Sequence, residues 1–251
     1  MTVLAVLATP PREGIVLEDL PETAPVSAGE AATLYGALLK DTFRAIEASG
    51  GDLLVNYRTA ADLPDDAGVE SSETELRKVV ADALDDPAST RFERQVGSTV
   101  SARVGNTITH LLREEDEVQT AAALPGTAPM LGRAIVDSAA MKLRSSDVVL
   151  GAAGDGRVYY AGFSEPIDFE DAYEPPEILT LTRRARDAGH DVDFLETLPL
   201  VETGADLREL VAILEARQLA DRMVPEYTTA AIQDLDLRTV AGEDGPELVR
   251  E

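Results

Sequence analysis

Cysteine is absent from this chain of 251 residues, and histidine occurs only twice. Disulfide bonds, thiol nucleophiles and cysteine metal sites are therefore excluded, and neither a histidine-based zinc site nor a Ser-His-Asp triad finds support. Tryptophan is absent as well, and aromatic residues make up only 4% of the chain, so the core must be aliphatic. A phosphate-binding loop of the G-x-x-x-x-G-K-[ST] type is also missing.

Basic residues are scarce: 22 Lys and Arg stand against 47 Asp and Glu, which gives a net charge of −25. Only Lys40, Lys78 and Lys142 are lysines. This balance excludes binding to nucleic acid through its phosphates, which requires basic stripes. It is typical of proteins from a very salty cytoplasm, of haloarchaeal type, where salt screens self-repulsion. The alternative is an ordinary acidic protein, since 44% hydrophobic residues argue against a disordered chain.

Long hydrophobic runs are missing too. The first segment, MTVLAVLATPPREG, has no positively charged start, and its apolar run is too short for a signal peptide or a membrane span. We therefore expect a cytoplasmic protein without a membrane span, in which this run is a buried first strand.

Short apolar runs alternate with helical patterns along the chain. Predicted strands cover Thr2–Ala8, Leu53–Tyr57, Phe92–Val96, Val118–Leu124, Val148–Gly151, Val158–Gly162 and Val192–Leu195. Predicted helices cover Ser27–Ala48 and Pro129–Arg144, and further helices begin at Ser72, Ser98, Pro175 and Thr203. This alternation predicts βαβ units and a largely parallel sheet.

Ligands of such sheets bind beyond the carboxyl ends of the strands. This rule places candidate site residues after Ala8, after Leu124, near Gly151 and near Leu198. One domain over residues 1–232 is the simpler interpretation, and residues 233–251 read as a polar, loosely attached tail.

Three segments resemble one known family. They are Ala31–Ile46, Ser145–Phe163 and Glu174–Leu210, and the central one reads SSDVVLGAAGDGRVYYAGF where the family reads DVVLGPAxDGGYYLIGL. The family is DUF2064, a GT-A-like group related to nucleotide-diphospho-sugar transferases. The resemblance implies an α/β fold: a single Rossmann-like GT-A domain with a mixed, mostly parallel sheet flanked by helices. It also implies a glycosyltransferase that uses a nucleotide sugar.

The resemblance also implies site residues. Asp155 would be the catalytic residue and, with Glu202, would hold Mg²⁺ or Mn²⁺, because hard cations prefer carboxylate oxygens. Each of these residues also has an ordinary structural explanation: Asp155 suits a Gly-Asp-Gly turn, and Glu202 and Asp206 suit the start of a helix.

The nucleotide would be held by residues after the first strand and by two further positions. Thr9, Pro10 and Arg12 would cradle it, Arg103 would bind a phosphate, and Thr127 stands where the family has Asp. Without a structure, Arg103 is equally well an exposed surface residue, and the two prolines a rigid turn.

The chain departs from the family at several of these places. Arg12 is the only cation in a loop that normally carries Lys-Thr-Arg, Thr127 replaces a metal-binding Asp, and Arg157 replaces a small residue. Three functions therefore stay open: a glycosyltransferase, a nucleotidyltransferase on the same fold, or a binding or partner protein without catalysis. The oligomeric state is left open.

Overall fold

A seven-stranded sheet is the centre of the computed structural model, which describes residues 1–64, 71–243 and 245–250. Its strands are β1 (Thr2–Ala8), β2 (Asp52–Tyr57), β3 (Arg91–Arg94), β4 (Thr120–Pro125), β5 (Val148–Ala152), β6 (Val158–Phe163) and β7 (Val192–Phe194). They lie in the order β3-β2-β1-β4-β6-β5-β7, and only β6 runs against its neighbours. The expected α/β fold with a mixed, mostly parallel sheet is confirmed.

Helices cover both faces of this sheet. They are α1 (Leu20–Thr23), α2 (Ala28–Glu47), α3 (Ser72–Ala83), α4 (Val100–Glu114), α5 (Arg133–Lys142), α6 (Glu177–Asp187), α7 (Gly204–Leu219) and α8 (Glu226–Asp234). Because side chains alternate along a strand, Leu4 and Val6 of β1 pack against α2, α3 and α5, while Val3 and Ala5 pack against α4 and α6. Burial on both faces explains the continuous apolar run of β1.

A third layer lies on the outer side of α2. Leu34 and Leu38 of α2 pack there against α7 and α8. In the segment predicted to be a loose tail, β8 (Leu237–Gly242) and β9 (Gly245–Arg250) pair as an antiparallel hairpin. The hairpin is attached because Leu237 is buried in this layer and the Thr239 N–H donates to the Glu215 carboxylate at 3.3 Å.

Helix starts follow their capping residues closely. Ser27 and Glu30 form the predicted capping box of α2. Helix α3 begins at Ser72 as predicted, but its capping residue is Ser71, whose hydroxyl accepts the N–H of Thr74. Thr203 caps α7 as predicted. Each such cap contributes about 1 kcal/mol.

Strand β6 is an interior strand covered on both faces, and its Tyr159 and Tyr160 are therefore both buried. The acidic segment over residues 60–70 is described only to residue 64, and its Asp65 and Asp66 lie outside the described residues. In the part of the chain that the structure describes, no helix is long and apolar enough to cross a membrane.

Candidate functional site

A cavity of about 230 Å³ opens where β1, β2 and β4 end. Thr9 follows β1, Arg58 follows β2 and Pro125 ends β4, so three strand ends contribute to its wall. Arg103 of α4 and Glu177 of α6 complete it. The cavity lies at the edge where open parallel sheets bind ligands.

Hydrogen bonds hold the strand ends around this cavity in place. The Thr9 N–H donates to the Tyr35 hydroxyl at 3.2 Å, and the Arg58 N–H donates to the Ala8 carbonyl at 3.1 Å. The Gln95 side-chain amide donates to the Asn56 carbonyl at 2.7 Å. Burial raises the pKa of Tyr35 to about 12, so its hydroxyl stays neutral at neutral pH.

Arg58 and Arg103 give the cavity a cationic wall. The Arg58 guanidinium donates to the Asp62 carbonyl, and Arg103 Nη1 donates to the Ser98 carbonyl at 3.4 Å. Both Nε atoms are buried and, among the described residues, have no hydrogen-bond partner. Neither guanidinium forms a salt bridge with a carboxylate of the described chain. Two adjacent cations held in this way suit an anion that accepts several N–H groups, such as a phosphate.

The electrostatics of the pair support this view. Burial lowers the pKa of Arg103 from its ordinary value, and the charge of Arg58 lowers it further. The Asp62 carboxylate is close enough to oppose these effects, but the hydrogen bonds that it accepts come from the Thr59 N–H and hydroxyl. An arginine keeps its charge even so, and a bound anion would relieve the repulsion between the two.

The opposite wall is acidic. Glu177 accepts the N–H of Val158 at 2.9 Å, and burial raises the pKa of its carboxyl, to which the charge of Glu202 adds. Glu202 lies at the start of α7 and also lines the cavity.

Arg157 lies between two carboxylates, those of Glu202, which lines the cavity, and of Asp206, which follows it in the sequence and lies in α7. Its Nη1 is 3.0 Å from Glu202 Oε2 and 2.9 Å from Asp206 Oδ2, and its Nη2 is 2.6 Å from Asp206 Oδ1. Only 17% of the Arg157 side chain and 10% of the Asp206 side chain are exposed, so solvent screens the contact little. Asp206 also accepts the N–H groups of Glu202 and Thr203. Burial alone would raise the pKa of Asp206, but the hydrogen bonds from Arg157, Thr203 and Glu202 outweigh it and lower the pKa.

A divalent cation does not fit these residues as they stand. Both carboxylate oxygens of Asp206 and one of Glu202 are already bound to the Arg157 guanidinium, and a further cation beside it would be repelled. Among the described residues, no group of three or more Asp, Glu or His side chains could hold a metal ion.

A second cavity of about 390 Å³ adjoins the first and shares Thr9 and Glu202 with it. Thr127 lines this second cavity and is buried, and its hydroxyl has no hydrogen-bond partner within the described chain. Thr9, Thr127 and Glu202 therefore line one cavity.

Three other predicted site residues lie apart from the cavities. Pro10 is buried in the loop after β1. Arg12 donates through its Nε to the Glu75 carboxylate of α3 at 3.0 Å, so its guanidinium is paired with that helix. Asp155 is exposed in the turn between β5 and β6, with a φ of 57°, and does not line either cavity. Glu202, the other carboxylate of the predicted metal site, lines both cavities.

Arg58 and Glu177 are not among the site residues predicted from the sequence. Arg58 follows directly on the second predicted strand, so the rule that ligands bind at strand ends was a sufficient signal for it. Glu177 carried no such signal, because it reads as an ordinary acid in the first turn of a helix.

Comparison with known proteins supports the fold. The sequence matches no family model, and no curated protein matches it. Its structure is similar to that of a protein from Desulfovibrio desulfuricans G20 provisionally named a nucleotide-diphospho-sugar transferase, with a TM-score of 0.72 at 20% identity over 94% of this chain and 95% of that one. A nucleotidyl transferase from Methanothermobacter gives a TM-score of 0.53 at 15% identity over 88% and 99%. At these identities the likeness establishes the fold alone: this chain has the fold of the nucleotide-diphospho-sugar transferase-like proteins.

Proposed function

We propose that the protein binds a nucleotide diphosphate sugar and transfers its sugar to an acceptor, as a glycosyltransferase-type enzyme. The observation that carries the proposal is the pair of half-buried arginines, Arg58 and Arg103, at the ligand-binding edge of the sheet. A diphosphate offers the charge and the several acceptor oxygens that this pair lacks in the protein. The fold that the chain shares with nucleotide-diphospho-sugar transferase-like proteins agrees with this ligand class.

The adjoining cavity suits the sugar. It offers the Thr127 hydroxyl and the carboxylates of Glu18, Asp19 and Glu202, and such groups hydrogen-bond sugar hydroxyls. Because the two cavities share Thr9 and Glu202, one ligand can occupy both.

Calorimetric titration with a panel of nucleotide diphosphate sugars, in about 1 M KCl so that the acidic surface is screened, tests the binding step. We expect one donor class to bind, and Arg58→Ala and Arg103→Ala each to weaken it. Arg133→Ala is the matched control, because Arg133 is an exposed arginine that pairs with Asp137 away from the cavity. If no donor binds, the proposed function is wrong.

The bound donor then decides between the remaining alternatives. Release of the free nucleotide diphosphate in the presence of acceptor mixtures supports sugar transfer. Release of inorganic diphosphate from a nucleoside triphosphate would instead support nucleotidyl transfer, which the likeness to a nucleotidyl transferase fold also allows. Binding without either product would identify a binding protein without catalysis.

A further inference from the structure

The contact between Arg157, Glu202 and Asp206 has a consequence for the ligand site. Glu202 lines both cavities, so the contact lies at the wall of the proposed ligand site. Three short hydrogen bonds join the guanidinium to the two carboxylates. Arg157 is fixed further by its own Nε, which donates to the Gly154 carbonyl at 3.0 Å.

Phosphate ligands are repelled by carboxylates unless a cation lies between them, and proteins commonly recruit Mg²⁺ for this purpose. Here the guanidinium already donates hydrogen bonds to both carboxylates, and its hydrogen bonds to Asp206 raise the pKa of Arg157, so its charge is permanent. The side chain is therefore a cation that needs no recruitment from solution.

We propose that Arg157 takes the place of a divalent cation at this site, so that the protein binds its phosphate ligand without Mg²⁺ or Mn²⁺. The nature of that ligand rests on the proposed function, but the exclusion of the metal does not. Arg58 and Arg103 meet the phosphate charge, while Arg157 neutralises the acids opposite them. Removal of the guanidinium would leave two carboxylates facing the place that it occupied, and a metal cation could bind there.

Titration of the full chain with Mn²⁺ alone, followed by electron paramagnetic resonance in about 1 M KCl, tests this proposal without any nucleotide. We expect no saturable binding to the wild type over the range of Mn²⁺ concentrations used, and saturable binding to Arg157→Ala at least about tenfold below the upper end of that range, since a repelling unit charge has gone. The double variant Arg157→Ala/Glu202→Gln should lose this gain. Saturable Mn²⁺ binding to the wild type overturns the proposal, as does a folded Arg157→Ala that gains none.

Arg157→Gln serves where the alanine variant does not fold, because glutamine keeps a hydrogen-bond donor while it removes the charge. The wild-type arm alone also decides, since it needs no variant. Nucleotide sugar binding to the wild type should change less than about twofold when EDTA is added, a difference well below one tenfold step in affinity. If no nucleotide binds with or without metal, the proposed function fails, while the Mn²⁺ titrations still decide the role of Arg157.

Discussion

Arg103→Met should stabilise the free protein and weaken ligand binding. The side chain is half-buried, and both burial and the charge of Arg58 lower its pKa, which means that folding acts against the charged form. Its one hydrogen bond, to the Ser98 carbonyl, is long at 3.4 Å. Methionine keeps the apolar stem and removes the charge. Replacement of a fully buried ion pair by apolar residues can stabilise by about 1–4 kcal/mol. For this partly exposed group we expect about 0.5–1 kcal/mol.

Binding should change in the opposite direction. A hydrogen bond to a charged group contributes about 1.5–3 kcal/mol, and every 1.4 kcal/mol is about tenfold in affinity. Loss of the Arg103 contact to a phosphate should therefore weaken binding by about 10- to 150-fold. Opposite signs for stability and affinity are the signature of a residue that is held for a ligand and not for the fold.

Urea unfolding in about 1 M KCl measures the first effect, and calorimetric titration measures the second. Arg113→Met is the matched control, because Arg113 is an exposed arginine on the same helix and should shift stability by less than about 0.5 kcal/mol. A loss of more than about 1 kcal/mol in Arg103→Met with unchanged affinity would refute the reasoning, because it would assign the guanidinium a structural role.

Three further predictions follow from the acids. Asp206→Ala should lower the free energy of unfolding, measured in urea, by about 2–4 kcal/mol, since it removes a capping box and leaves Arg157 with Glu202 as its carboxylate partner. The control Asp155→Ala, at an exposed turn, should lower it by less than about 0.5 kcal/mol. The raised pKa of Glu177 means that the folded state keeps a proton that the unfolded chain has released. The free energy of unfolding of the wild type should therefore fall relative to that of Glu177→Gln as the pH rises above 4.5, the ordinary pKa of a glutamate. Equal pH profiles for the two proteins would contradict this. With a net charge of −25, the melting temperature should fall when KCl is lowered from about 2 M to about 0.1 M, and an unchanged value would count against adaptation to salt.

Most of the fold could be predicted because its signals are local. The apolar run of β1 and the Ser27–Glu30 capping box lie within a few residues of the elements they define. The hairpin could not be predicted in the same way, since its strands are mostly exposed and bury little besides Leu237, whose partners come from α7 and α8. Its attachment is a tertiary effect that no local pattern carries.

The candidate site, too, has features that local sequence signals predict and others that depend on tertiary contacts. Thr9 and Thr127 follow β1 and β4, and Glu202 precedes α7. Because these strands end at one edge of the sheet and the helix begins there, the three residues could be predicted to lie near one another. The pairing of Arg157 with Asp206 could not, since 49 residues separate them and nothing in either segment specifies the other. The sequence marks Arg157 only as an unusual residue in a turn, and the structure shows what it binds.

In so acidic a chain, it is unexpected that Arg58 and Arg103 bind no carboxylate of the described residues. With 47 acids against 22 basic residues, an arginine on this surface meets a carboxylate easily, and Arg12, Arg91, Arg133 and Arg184 all do. Arg58 and Arg103 form no such salt bridge within the described residues, although both are partly buried and an internal carboxylate would lower their desolvation cost. A carboxylate bound to either guanidinium would stabilise the free protein and compete with an anionic ligand. Because no carboxylate of the described residues binds them, the two guanidinium groups stay available to an anion, as ligand binding at this position requires.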